Sequence, residues 1–246
     1  MADFQSKYQT ELTQIDSRTK GAKRFLDQRG AWLRRYRGGL PTGFFAAIAQ
    51  WESGGRMLAG DVSQGEYGFF QITSSTETTF GLPDGFRTQP ENNIFLAGLE
   101  YNVEAKRLAL RYPFVRDGSR DQWMLARLVF AVGRGGTYKL IDNAVAGGHM
   151  TGAPYDGVAA YVNAVGGIKL GGQPPGKVWF RTNVIPLVWE IGKQTEASLY
   201  GPPVRPPAPA GVTYQLPADV RDRLKSEGAV LVAMAAIAIS LVLPVI

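Results

Sequence analysis

The feature that most constrains this fold is an apolar run enclosed by glycine pairs. Residues 44–49 read Phe-Phe-Ala-Ala-Ile-Ala, with Gly38-Gly39 before them and Gly54-Gly55 after them. Proline is tolerated in the first turn of a helix, and glycine commonly follows the last residue. The run therefore predicts an apolar helix that starts beside Pro41 and stops at Gly54.

The acid of this helix, Glu52, lies near its end. Phe44, Ile48 and Glu52 are spaced at i, i+4 and i+8, so they share one face. Burial on an apolar face disfavours the ionised form and is expected to raise the pKa of the carboxyl. A carboxylic acid that is protonated near neutral pH suits general acid catalysis on a glycosidic oxygen. The alternative is that Glu52 ends a core helix and points to water.

A glycine-rich loop follows the helix. Residues 63–72 read Ser-Gln-Gly-Glu-Tyr-Gly-Phe-Phe-Gln-Ile. Gly65 and Gly68 let the chain turn tightly and bring backbone close to a ligand. The two phenylalanines supply apolar anchoring, and Gln71 offers a donor and an acceptor for an acetamido or hydroxyl group. The loop is therefore interpreted as one wall of a sugar site.

The rest of the globular part is expected to be mainly α-helical. Ser74 and Glu77 form a Ser-x-x-Glu pattern, which predicts a capping box at the next helix. Ser119 predicts a later N-cap. We find no strong strand alternation and no internal repeat. Apolar residues recur at helical spacing at Ile94, Ala97, Tyr101, Ala105 and Leu108, and again at Trp123, Ala126 and Phe130.

Taken in order, these motifs resemble the catalytic domain of soluble lytic transglycosylases, which has a lysozyme-like fold. The similarity spans roughly residues 38–168, and five weak motifs in order are specific together. The positions that match are Glu52-Ser53; Gly65, Gly68, Phe69, Phe70, Gln71 and Ile72; Asn93-Ile94, Gly98 and Tyr101; the partial match Phe130 to Gly133; and Tyr161-Val162 with Val165.

The resemblance implies a catalytic residue and a set of substrate contacts. Glu52 is the implied acid and base. One departure concerns the fourth motif, where the family has Tyr-Asn and this chain has Phe130-Ala131, so a hydroxyl and an amide are missing. The implied substrate-binding residues are Ser53, Ser63, Tyr67, Gly68, Gln71, Phe130 and Tyr161.

The implied reaction is cleavage of the MurNAc–GlcNAc β-1,4 linkage of peptidoglycan with formation of 1,6-anhydro-MurNAc. A hydrolase (muramidase) needs a second carboxylate. The nearest in sequence are Asp61 and Glu66, which keep that alternative open. A catalytically silent wall-binding or structural membrane protein is the third alternative, because the Tyr-Asn pair is lost.

Composition excludes several other classes. The chain has no cysteine, so it has neither a disulfide framework nor a thiolate nucleophile. With His149 as its one histidine, no transition-metal site is expected, and no cofactor is expected either. The formal charge of +6 suits an anionic polymer or a membrane surface. No nucleic-acid motif accompanies that charge, so no specific nucleic-acid partner is expected.

The chain divides into four predicted regions. Residues 1–37 are polar, basic and helical, either a solvated helix packed on the domain or a contact with a membrane or polyanion. Residues 38–200 form the catalytic domain, and residues 201–227 form a proline-rich linker. Residues 228–246 are uncharged and aliphatic, which predicts a C-terminal membrane-spanning helix that binds a bilayer.

The predicted topology conflicts with export by the host. The first thirty residues show no secretory signal. Arg221, Arg223 and Lys225 flank the apolar segment on the domain side, which the positive-inside rule keeps cytoplasmic. Delivery in the virion of a membrane-containing bacteriophage resolves the conflict, with other virion or membrane-complex proteins as neighbours. The alternative location is the bacterial cell envelope.

Overall fold

The computed structural model of the protein describes residues 1–60 and 65–200. The predicted linker (201–227), the predicted membrane segment (228–246), Asp61 and Ser63 lie outside the described residues. Between residues 1 and 200, apart from that short gap, no helix is long and apolar enough to cross a membrane.

The prediction of a mainly α-helical protein is confirmed. In the described part of the chain, β-pairing is limited to isolated antiparallel bridges, two of them near residue 67. A 3₁₀ turn at Phe86–Thr88 precedes the fifth helix. The helices are α1 (Ala2–Thr13), α2 (Ile15–Tyr36), α3 (Thr42–Ser53), α4 (Ser74–Thr79), α5 (Pro90–Arg111), α6 (Arg120–Val132), α7 (Arg134–Ala146), α8 (Pro154–Ala164) and α9 (Pro175–Tyr200).

The chain forms two compact units. The first, here called the α6–α8 unit, comprises Met1–Thr19 and Glu104–Ile191. The second, here called the α3 unit, comprises Lys20–Val103 and the described residues from Gly192 onward. The boundaries fall inside α2, α5 and α9.

Helix α3 is the core of its unit, and the predicted limits are confirmed. Residues 42–49 are all buried. The helix begins after Pro41 and ends where Gly54 adopts a left-handed conformation, with φ 65°. Gly54 donates its N–H to Gln50 O at 3.0 Å, which closes the last turn.

Two glycines let α9 cross close to α3. A Cβ at Gly43 would collide with the carbonyl oxygen of Gly192, and a Cβ at Gly192 would lie 2.6 Å from the Cα of Phe44. Glu196, one turn further along α9, accepts hydrogen bonds from the backbone N–H groups of Thr42 and Gly43. These groups are unsatisfied at any helix start, so Glu196 caps α3.

Helix α2 packs into the α3 unit along one side. Phe25, Leu26 and Leu33 are at most 3% exposed. At its end, a Cβ at Gly98 of α5 would collide with Tyr36 O, so the two backbones touch. Residues 20–37 therefore contribute directly to this core, as the packed-helix alternative requires.

In the α6–α8 unit, α6, α7 and α8 pack against one another. The predicted cap at Ser119 is confirmed, since its side chain accepts the N–H of Gln122 at 3.2 Å. Glu104 is almost fully buried and accepts hydrogen bonds from Arg107 at 2.7 Å and from Arg134 at 2.5 and 2.9 Å. The Glu104 carboxylate therefore links α5 to the first turn of α7.

Candidate active site

Glu52 lies in the last turn of α3, where the helix reaches the surface of its unit. Trp51 and Glu52 are half-buried, whereas residues 42–49 of the same helix are buried. Glu52 therefore belongs to a helix that is buried along most of its length, and the residue itself remains partly exposed.

Ser53 fastens this helix end to the loop that contains the glycine motif. Its side chain is buried, with 6% of the residue exposed. The hydroxyl lies 2.9 Å from Phe69 O and 3.1 Å from Ala49 O, and it accepts the N–H of Arg56 at 3.2 Å. Its single proton reaches one carbonyl at a time. This structural role places Ser53 beside the site, and its contact with substrate stays a prediction.

The loop at 65–72 is a tight antiparallel turn. Tyr67 and Ile72 exchange two backbone hydrogen bonds of 3.0 Å. Gly68 donates its N–H to Leu58 O at 2.9 Å, which joins the turn to the segment before residue 61. The predicted substrate-binding residue Tyr67 is half-buried at the centre of this turn.

Gly68 adopts a left-handed backbone conformation, with φ 86°, and it packs directly against the side chain of Asn93 in α5. A Cβ at this position would collide with the Asn93 amide, so glycine is required. Asn93 is fully buried and donates to Tyr67 O at 3.0 Å and to Arg87 O at 3.1 Å. It also accepts the Phe70 N–H at 3.2 Å. One amide therefore fixes both sides of the turn.

Gln71 is the one residue other than glycine with positive φ (52°) in the described part of the chain. Such a conformation costs roughly 1–2 kcal/mol when a Cβ is present. The side-chain NH₂ donates to Gly68 O at 2.7 Å and to Leu58 O at 3.2 Å. Both amide hydrogens thus bond to backbone carbonyls of the unit, and the predicted contact of Gln71 with a sugar is left to its carbonyl oxygen.

Glu66 lies beside Gln71. A Cβ added to Gly60 would collide with Gln71 Oε1 and would stand 3.0 Å from Glu66 Oε2, so both side chains flank the same glycine. Glu66 is half-buried. Asp61 and Ser63, the other predicted residues of this loop, lie outside the described residues.

The predicted capping box at Ser74 and Glu77 is wrong. The N-cap of α4 is Thr73, without a side-chain capping bond. Glu77 is 1% exposed and faces the next turn instead, where it forms an ion pair with Arg87 and accepts the Arg87 N–H at 2.5 Å. Arg87 in turn donates to Gly65 O at 3.1 Å. The ion pair prevails because it satisfies the charge of a carboxylate that is almost fully buried.

Helix α2 supplies contacts to the loop that the sequence patterns did not reveal. The Phe25 ring meets the Phe69 ring edge-on, with centroids 4.9 Å apart. The Arg29 guanidinium lies 5.9 Å from the Phe69 ring centroid and 5.1 Å from the Trp32 ring centroid. The signal available in the sequence was the aromatic interleaving of this basic segment.

The remaining predicted contacts, Phe130 and Tyr161, belong to the α6–α8 unit. Phe130 is half-buried in the last turn of α6, and the next residue, Ala131, accepts a hydrogen bond from Arg181 through its carbonyl. The Tyr161 hydroxyl accepts from Asn143 at 3.2 Å. Their assignment to the substrate stays a prediction.

His149 follows α7 in the same unit. Its ring meets the Tyr161 ring edge-on, with centroids 5.6 Å apart. Across residues 1–60 and 65–200, no group of three or more His, Asp or Glu side chains is arranged to hold a metal ion.

Comparison with protein-family models, with curated proteins and with solved structures gives no significant match to this chain. The candidate site is therefore defined by its own geometry. It consists of Glu52, half-buried at the end of a buried helix, and of the strained turn to which Ser53 ties that helix end, with Glu66 beside the turn.

Proposed function

We propose that this protein is a lytic transglycosylase with a lysozyme-like catalytic domain, which cleaves the MurNAc–GlcNAc β-1,4 linkage of peptidoglycan. The observation that carries the proposal is the junction of α3 with the 65–72 loop. There the hydroxyl of Ser53 reaches Phe69 O, so Glu52 is held next to the turn that contains Gly68 and Gln71. Catalytic groups work best when rigid elements fix their positions.

In the proposed reaction one carboxyl serves twice. Glu52 first gives its proton to the glycosidic oxygen, the C1–O bond breaks, and positive charge develops on the muramic ring. The carboxylate then removes the proton from the C6 hydroxyl of the same sugar, whose oxygen bonds to C1. The products are an anhydro-sugar end and a free GlcNAc hydroxyl, and Glu52 regains its proton.

The first test is Glu52→Gln. The amide keeps the shape of the side chain but has no acidic proton, so lysis of purified peptidoglycan should fall by about 10²–10⁴ or more. Glu66→Gln, in the adjacent loop, is the matched control and should be mild. Lysis by Glu52→Gln at the wild-type rate would refute the catalytic assignment.

The second candidate is a muramidase, and the observation that favours it is the position of Glu66 beside Gln71. A hydrolase adds water, so its products carry reducing ends, whereas the proposed reaction gives anhydro ends that are one water lighter. Mass spectrometry of the released fragments decides between them. Reducing ends together with a damaging Glu66→Gln would establish the hydrolase.

The proposed place of action is the virion membrane of a bacteriophage, with local opening of the cell wall at entry as the role. The support lies in the sequence alone, in the apolar segment 228–246 and the proline-rich segment before it. Full-length protein should remain with membranes after carbonate extraction, which removes proteins held by charge. Release by carbonate would refute the anchor.

A further inference from the structure

Almost all of the net charge of this protein lies on one helix. Helix α2 (Ile15–Tyr36) contains seven Lys or Arg residues and two Asp, a net charge of +5, whereas the whole chain carries +6. The rest of the sequence carries a net charge of only +1. A charge concentrated in this way produces a local field that attracts polyanions.

Four of the seven basic side chains of α2 form a group at the surface. Of the other three, Arg18 and Arg35 form ion pairs with acidic residues, and Arg29 lies against the Phe69 ring. Lys20, Arg24 and Arg34 are exposed and Lys23 is half-buried. Among the described residues none of these four forms an ion pair. These four residues are here called the α2 basic face.

Helical geometry places these residues on a single side. Positions 20, 24, 27, 31 and 34 follow one another at intervals of three or four, and position 23 lies three residues after position 20, so all six fall on one side of the helix. The stretch from Lys20 to Arg34 spans about 21 Å at 1.5 Å per residue. Between the cations lie one acid, Asp27, and one apolar residue, Ala31. Without a large apolar side chain, this face has nothing to insert into a bilayer.

The opposite side of α2 packs against the candidate active site. Phe25 and Arg29 both contact the ring of Phe69 in the 65–72 loop. A helix with its side chains is about 10–12 Å across. The α2 basic face therefore lies about one helix diameter from the loop that adjoins Glu52.

We infer that the α2 basic face docks the carboxylates on the peptide stems of peptidoglycan and holds the polymer beside the candidate active site. The choice of polymer rests on the proposed function. The cations are separated along the helix, with three between Lys20 and Arg24 and the fourth at Arg34. This spacing suits carboxylates on separate peptide stems of one glycan chain. The contact is electrostatic and exposed, so salt should weaken it.

The test compares two variants of the full-length protein that carry equal net charge. The first replaces the α2 basic face with glutamine at all four positions. The matched control replaces four cations of the α6–α8 unit that form no ion pair with any described residue, Arg116, Lys139, Lys169 and Lys177. Both variants have a formal charge of +3, because each also carries the Glu52→Gln substitution that all the proteins share. All proteins carry Glu52→Gln so that the polymer stays intact, and equal melting temperatures establish that they are folded.

Binding is measured by co-sedimentation with purified peptidoglycan sacculi in non-ionic detergent. Four exposed ion pairs of ordinary strength amount to about a thirtyfold change in affinity at low salt. The α2 variant should bind about thirtyfold more weakly, and the control should match the reference. Sacculi whose carboxyls have been converted to neutral amides should bind all three proteins equally weakly.

Three results would overturn the inference. The α2 variant and the control bind native sacculi alike, or the reference binds amidated sacculi as well as native ones. The third is a preference for anionic over neutral vesicles that the α2 variant alone loses, while its binding to sacculi is unchanged. The proposed function is tested by a different measurement, the cleavage of peptidoglycan by protein that retains Glu52. Absence of that cleavage would refute the proposed function and would leave the binding result unaffected.

Discussion

Asn93→Ala tests whether one buried amide holds the loop of the candidate active site. Asn93 makes three hydrogen bonds of 3.0–3.2 Å, to Tyr67 O, to Arg87 O and from the Phe70 N–H. Each bond contributes about 1 kcal/mol net, and a buried N–H left without a partner costs more. The free energy of unfolding should therefore fall by about 3 kcal/mol, which corresponds to roughly 6–12 °C in Tm for a chain of this size.

Thermal unfolding followed by far-UV circular dichroism measures this loss. Asn92→Ala is the matched control, since Asn92 is half-buried one position earlier on α5. Below its melting temperature, Asn93→Ala should also lyse peptidoglycan more slowly, because Gly68 and Gln71 lose their support. A melting temperature equal to that of Asn92→Ala would refute the argument that the Asn93 amide stabilises the 65–72 loop.

Three further predictions follow from the packing. Gly43→Ala should destabilise the protein by about 1–3 kcal/mol, because the new Cβ collides with the backbone of α9. Gly135→Ala is the control, since a Cβ there enters open space, and it should be neutral or slightly stabilising. Equal effects of the two substitutions would contradict the close crossing of α9 over α3. Burial raises the pKa of Glu196, so the native state holds that proton to higher pH and stability falls as pH rises above about 4.5. Glu196→Gln should remove that fall, and its melting temperature relative to wild type should increase from pH 4 to pH 7; a constant difference would refute the burial argument. A chain ending at residue 200 should be soluble, folded and active. A chain ending at residue 191 lacks Glu196, which caps α3, and should not fold. Activity of the 1–191 chain would contradict the capping role of Glu196.

The sequence was sufficient where short-range signals act alone. Helix α3 begins after Pro41 and ends at Gly54 because a restricted φ and a left-handed glycine act within one turn. The cap at Ser119 is confirmed for the same reason, since its partner Gln122 is three residues away. Neither feature depends on where the rest of the chain goes.

The sequence was insufficient where distant residues compete for the same group. Glu77 fits a capping box, yet Arg87 lies ten residues on and takes the carboxylate. Asn93 contributes through partners 6 to 26 residues away, which helical periodicity does not reveal. The crossing of α9 over Gly43 is likewise a tertiary contact, and nothing in the local sequence around residue 192 marks it.

The hydrogen bonds of the 65–72 loop divide its motif into two kinds of residue. Gly68 and Gln71 form hydrogen bonds with each other and with Leu58, and Asn93 forms hydrogen bonds with Tyr67 and Phe70, so the turn has its shape without a ligand. The strained φ of Gln71 persists because these bonds over-determine it. Binding energy is then not used to order the loop. Most residues of this motif therefore shape the candidate active site. The proposed chemistry depends on Glu52, which lies outside the motif.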